Sequence, residues 1–176
     1  MNLKIKSLCL LCMAGLFCAC SHEQKKPTFH SGPEYTALSS ALISDASETV
    51  RMSAAEALSH MGYLAANPLL SKALLSDASA DVRRKCAELL EKTNDIDRDT
   101  DWRQTVSDEM PEVTALMMAL ASDKSLSVRA ASARALRKFR DNRIPAALAK
   151  SLSSDPESEV RAAAAESIGL LGRSRP

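Results

Sequence analysis

Residues 44–51 read SDASETVR, and the same skeleton returns as SDASADVR (76–83), SDKSLSVR (122–129) and SDPESEVR (154–161). In each copy an Asp stands six residues before an Arg, with Ser before the Asp and Val before the Arg. A unit copied at a fixed period cannot bury its apolar face alone and must stack on its neighbours, so this feature restricts the chain to a repeat architecture. Asp45 and Asp77 are 32 residues apart, as are Asp123 and Asp155, while 46 separate Asp77 from Asp123, which leaves 14 extra in the middle.

Around each Asp the apolar residues keep helical spacing. Leu38 and Leu42 precede Asp45, and Leu70/Leu74, Leu116/Leu120 and Leu148/Leu152 hold the same places in the other copies. After the turn, Val50, Ala54, Ala55 and Leu58 recur as Val82, Cys86, Ala87 and Leu90, as Val128, Ser132, Ala133 and Leu136, and as Val160, Ala164, Ala165 and Ile168. Each unit therefore predicts two amphipathic helices, A and B. Apolar residues at 45%, aromatics at 3% and only five Gly suit helices with an Ala/Leu/Val core. Residues 33–58 match 111–136 at 15 of 26 positions, the mark of a duplicated two-repeat segment.

The D-x-x-x-x-V-R turn followed by an Ala-rich helix ending in Leu resembles the HEAT-like repeats grouped with phycobilin-lyase proteins. The resemblance covers residues 33–173 and implies an all-α, right-handed α-solenoid of four HEAT-like helix pairs. The expected units are about 33–62, 63–93, 111–140 and 141–173 within a 33–176 repeat domain, with an insertion at 94–110.

On the helix-B wheel the apolar stripe is centred about 65° from the Val, and the Arg falls at about 100°, inside it. A guanidinium drawn into a packed face needs a fixed acceptor. Asp45, Asp77, Asp123 and Asp155 are therefore expected to accept from Arg51, Arg83, Arg129 and Arg161, each from its own Arg, from that of the adjacent repeat, or from both. This makes a structural ladder, an arrangement that the resemblance implies as well; a catalytic groove of Asp and Arg is the alternative. Ser47, Ser79 and Ser125 read as N-caps of the B helices. The opposite face of helix B carries Met52, Ser53, Glu56 and His60; Arg84, Lys85, Glu88 and Lys92; Ala130, Ala131, Arg134 and Lys138; and Ala162, Ala163, Glu166 and Leu170. In a solenoid this is the concave surface, so Arg84, Lys85, Glu88, Arg134 and Lys138 are candidate partner-binding residues.

The N-terminus predicts export. MNLKIK supplies a basic start and SLCLLCMAGLF an apolar run too short to span a bilayer. The following FCACS resembles the lipobox of bacterial lipoproteins, which implies a signal peptide over 1–19 and lipidation of Cys20; an ordinary cleaved secretory signal is the alternative. Residues 20–32 then form the lipidated cysteine and a polar tether. With Cys9, Cys12 and Cys18 in the signal and Cys20 acylated, Cys86 is left as a thiol with no partner for a disulfide. It occupies the place of Ala54, Ser132 and Ala164 and reads as a small core residue.

No His pair has metal-ligand spacing, and no nucleophile–base signature is present, so the expectation is no enzyme, no cofactor and no metal. Asp95, Asp97, Asp99 and Asp101 alternate like the start of a calcium loop, but Thr100 and Val106 occupy the places of its Gly and Glu. Trp102, the only tryptophan, either packs back on the solenoid or meets a partner. The run 134–143 is basic, yet the formal net charge of +1 does not mark a nucleic-acid binder. The expected role is a lipid-anchored, non-catalytic scaffold for an unidentified protein partner, on the periplasmic face of the bacterial outer membrane, with no nucleic acid or small-molecule substrate. The alternatives are a lyase-type or enzyme-accessory protein acting on a protein-bound cofactor, and a nucleic-acid-binding HEAT-like protein.

Overall fold

The structure is a computed structural model, and it describes residues 32–96 and 110–173. The lipobox and the tether up to residue 31, Trp102 and the alternating aspartates from Asp97 onward lie outside the described residues, and of Asp95 only the backbone is described. Eight helices occur among the described residues, with no strand: α1 (Pro33–Ser44), α2 (Glu48–Ser59), α3 (Tyr63–Ser76), α4 (Ala80–Ile96), α5 (Pro111–Ser122), α6 (Leu126–Leu136), α7 (Ile144–Ser154) and α8 (Ser158–Arg173). They form four antiparallel pairs, α1/α2, α3/α4, α5/α6 and α7/α8, stacked in two rows. α4 extends three residues beyond Thr93, so the insertion begins as helix rather than as loop.

Local chemistry explains the boundaries. Pro33 and Pro111 open α1 and α5, where the missing N–H would have no helical partner. Every A helix stops at the repeated Asp, whose backbone is extended (φ −67° and ψ 139° at Asp77). Between α2 and α3 the chain turns at Gly62 (φ 96°, ψ 163°), a conformation that is essentially confined to glycine. A Cβ there would meet nothing within 4 Å, so the constraint comes from the backbone rather than from crowding.

The core lies between the rows and is built from Leu42, Leu58, Leu70, Leu74, Leu90, Leu116, Leu136 and Leu148, with Val82, Val128 and Val160. The helical stripes hold in the interior repeats and lapse at the ends. Val50 in the first repeat is 41% exposed and Leu152 in the last is 39% exposed. A solenoid covers these positions with the neighbouring repeat, and the terminal repeats have one neighbour each.

The inner row, α2, α4, α6 and α8, packs continuously, whereas in the outer row α3 and α5 are closely joined and the α1/α3 and α5/α7 junctions are sparse. Close packing of the inner row corrects the expected free face. Ala130, Ala131 and Ala163 are buried, because α6 is flanked by α4 and α8 and small side chains let the backbones approach. The concave surface is therefore narrower at the third repeat than the helix wheel implies.

Candidate interaction surface

At each turn the carboxylate does two things. Its Oδ1 accepts the backbone N–H two residues later, at Ser47, Ser79 and Ser125 (2.8 Å each) and at Glu157 (3.0 Å), which folds the turn. In Asp77, Asp123 and Asp155 it also receives the arginine of the preceding repeat. Arg51 Nε donates to Asp77 Oδ2 at 2.7 Å and Nη2 to Oδ1 at 3.0 Å. Arg83 makes the same fork on Asp123 (2.7 and 2.9 Å), and Arg129 on Asp155 (2.9 and 3.0 Å).

The remaining nitrogen, Nη1, turns back to the arginine's own turn and donates to the backbone carbonyls of Asp45, Asp77, Asp123 and Asp155. Arg51, Arg83 and Arg129 thus each join their own turn through a carbonyl and the next turn through a carboxylate. Own-repeat carboxylate pairing, one of the arrangements open from sequence, does not occur among the described residues. The ladder crosses the insertion without a break: Arg83 and Asp123 are 40 residues apart, against 26 for the other pairs, with the same fork. At its ends, among the described residues, Asp45 receives no arginine and Arg161 meets only the carbonyls of Asp155 and Pro156.

These are bidentate, largely desolvated pairs; side-chain exposure is 14% for Arg83 and 9% for Asp123. The bond to Asp123 holds Arg83 above its ordinary value against the opposing effect of burial. Burial by itself would raise Asp123, but the bonds from Arg83 and the Ser125 N–H bring it below the usual carboxylate range. Asp155 is lowered chiefly by its hydrogen bond from Arg129. Both groups remain charged at neutral pH and fully occupied with each other.

The N-cap expectation needs correction. Ser79 Oγ accepts from the Asp81 and Val82 N–H groups at 3.1 and 3.4 Å, whereas Ser47 and Ser125 make no side-chain cap bond. The Asp two residues earlier already folds each turn, and Ser125 instead bonds the Ser127 hydroxyl at 2.9 Å.

On the concave side the candidate residues are held in ion pairs. Arg84 meets Glu88 (2.6 Å) and Asp81 (3.4 Å), Lys85 reaches Glu56 of the first repeat (3.2 Å), and Arg134 lies 4.0 Å from Glu159. A contact missed in the sequence is Arg137, which bridges Glu91 of the second repeat (2.7 Å) and Glu166 of the fourth (3.4 Å). Glu91 and Arg137 both lie nine residues after their repeat's Val, so opposite charges in register were the available signal. Arg143 is forked on Asp141, which it lowers below the usual carboxylate range. Much of the basic run 134–143 is thus engaged with acids of the same chain.

Two buried polar contacts lie in the middle of the stack, one between the second and third repeats and one within the second. Tyr63 donates its hydroxyl to Glu112 Oε1, and Thr93 Oγ1 donates to Asn67 Oδ1 at 2.8 Å. Burial pushes Glu112 above the usual carboxylate range. Cys86 is fully buried and its thiol is pushed up to about 12, chiefly by burial, which makes it a poor nucleophile. Among the described residues there is no cluster of acid, His and Cys side chains able to hold a metal, and no helix long and apolar enough to cross a membrane.

The sequence model of the family described as HEAT repeats matches residues 33–102 and 104–169. Among solved structures the chain is similar to human deoxyhypusine hydroxylase in complex with glycerol, at 23% identity and a TM-score of 0.64. That match covers 80% of this chain and 44% of the hydroxylase chain, so this chain spans less than half of its length, and the likeness is one of fold. No curated protein matches.

Proposed function

The chain belongs to the HEAT-repeat family, and we propose that it is a non-catalytic protein-binding scaffold, lipid-anchored through Cys20 at the periplasmic face of the bacterial outer membrane. HEAT repeats generally mediate protein binding, and their stacked surfaces suit extended partners. The observation that carries the reading is the state of the repeated Asp and Arg residues. These eight side chains are the residues most like catalytic groups, and six of them are paired in three forks that join neighbouring repeats. Chemistry would need such groups free to exchange protons or bind substrate. What varies between repeats is instead the surface charge, and a binding scaffold is specified by such variation.

The anchor rests on the lipobox resemblance and is tested separately from the binding. Growth with labelled palmitate should label the wild-type chain and leave Cys20→Ser unlabelled and outside the membrane fraction; equal labelling of both removes the anchor. Crosslinking with mass spectrometry from intact cells should recover protein neighbours that weaken in an Arg84→Glu/Lys85→Glu variant. Recovery of no protein neighbour above a tagged, unrelated lipoprotein control would overturn the scaffold reading.

A further inference from the structure

A cleft runs along the surface between α3 and α5, the most closely joined helices of the outer row. Two hollows in it, of about 500 and about 410 Å³, share Leu75 and Met118 and so form one continuous groove. These side chains are 46% and 52% exposed. Single exposed apolar residues are ordinary, but two bordering the same groove form a patch. Ser71 lines the same groove, and its Oγ is buried without a hydrogen-bond partner, although Ser76 and Ser122 nearby bond the carbonyls four residues back. Lys72 and Lys124 stand exposed along the groove, and neither makes an ion pair among the described residues. The carboxylates that line it, Asp77 and Asp123, are held by Arg51 and Arg83. The result is an apolar cleft with unneutralised positive charge toward both ends.

We propose that this groove docks a short acidic, amphipathic segment of a partner protein. Its apolar side chains insert between Leu75 and Met118, its carboxylates meet Lys72 and Lys124, and a polar group satisfies Ser71 Oγ. The charge complementarity selects an acidic partner, and apolar anchors between charged flanks are how grooves of this kind take peptides. The inference rests on the scaffold reading but places a binding site on the outer row, away from the concave charges.

The test uses the full chain in detergent solution, panned against a displayed library of random short peptides, with the selected peptide fluorescein-labelled for anisotropy. The expected peptides combine Asp or Glu with large apolar residues. Their affinity should fall at least about tenfold in Lys72→Glu/Lys124→Glu, and also in Met118→Ser. Exchanging the peptide's carboxylates for lysines should restore binding to the double charge variant. All these side chains are exposed, so unchanged melting temperatures show that the variants fold. Peptides lost only in Arg84→Glu/Lys85→Glu would overturn the groove and leave the scaffold reading intact. Selection of no acidic peptide would overturn it too. So would groove-dependent self-association in sedimentation, which points to a second copy, or groove-dependent binding to phosphatidylglycerol vesicles without peptide binding, which points to lipid.

Discussion

Arg83 and Arg161 occupy the same place in the repeat but have different partners, so substituting each by Ala isolates what the ladder contributes. Arg83 makes four hydrogen bonds, two to the Asp123 carboxylate and two to the carbonyls of Asp77 and Ala78. Removing it leaves Asp123 accepting from the Ser125 N–H in a site where its side chain is 9% exposed. Breaking a fully buried pair costs about 3–5 kcal/mol, and the partial access of water places this one at about 3 kcal/mol. For a domain of this size about 3 °C accompanies each kcal/mol, so Arg83→Ala should melt about 10 °C lower. Arg161→Ala loses only two carbonyl contacts, worth about 1 kcal/mol, and should melt about 3 °C lower. Calorimetry or circular dichroism of the three proteins at one pH gives both shifts. Equal shifts, or a loss below about 1 kcal/mol at Arg83, would show that the forks are geometric coincidences and refute the ladder as a source of stability.

Other predictions follow from single sites. Glu112 has its pKa raised by burial, so its contribution is fully present below the ordinary carboxylate range and is lost as pH rises through the folded value. Glu112→Gln keeps an acceptor for Tyr63 and should melt no lower than wild type at pH 8; a clear loss would mean that the charged form is the stabilised one. Asp123 and Asp155 are lowered, so their contribution is present above the ordinary carboxylate range, about pH 4, and is lost as pH falls through their folded values. The melting temperature should therefore drop steeply below about pH 4, and Asp123→Asn should lower the neutral plateau while shallowing that drop. Gly62→Ala places a Cβ on a backbone at φ 96° and should cost about 1–3 kcal/mol by denaturant titration, although it makes no clash. An unchanged midpoint would mean that the turn relaxes.

The repeat made the fold readable, because period and stripe are both properties of one sequence compared with itself. The same comparison placed Asp and Arg at each turn, yet it left open which Arg meets which Asp. That choice depends on how far one turn lies from the next, a stacking distance with no local sequence signal. The helix wheel put Val50 and Leu152 in the core and Ala130, Ala131 and Ala163 on the surface; each of these was decided by how many neighbours the repeat has. Arg137 stands in the sequence as part of the basic run 134–143, although its register partner Glu91 is visible one repeat earlier. The outer groove was the least legible feature. Leu75 and Met118 come from different repeats and non-equivalent positions, and only the spacing of the outer helices brings them together.

The division of labour between repeated and variable residues is tested most directly by measuring melting temperature and crosslinked-partner yield on one set of proteins: wild type, Arg161→Ala, Arg84→Glu/Lys85→Glu and Lys72→Glu/Lys124→Glu. The account predicts that Arg161→Ala melts slightly lower and keeps its partners. The two surface variants should stay within about 1 kcal/mol of wild type in stability and lose partner yield. Surface variants that retain every partner, or a partner yield that tracks melting temperature alone, would contradict it.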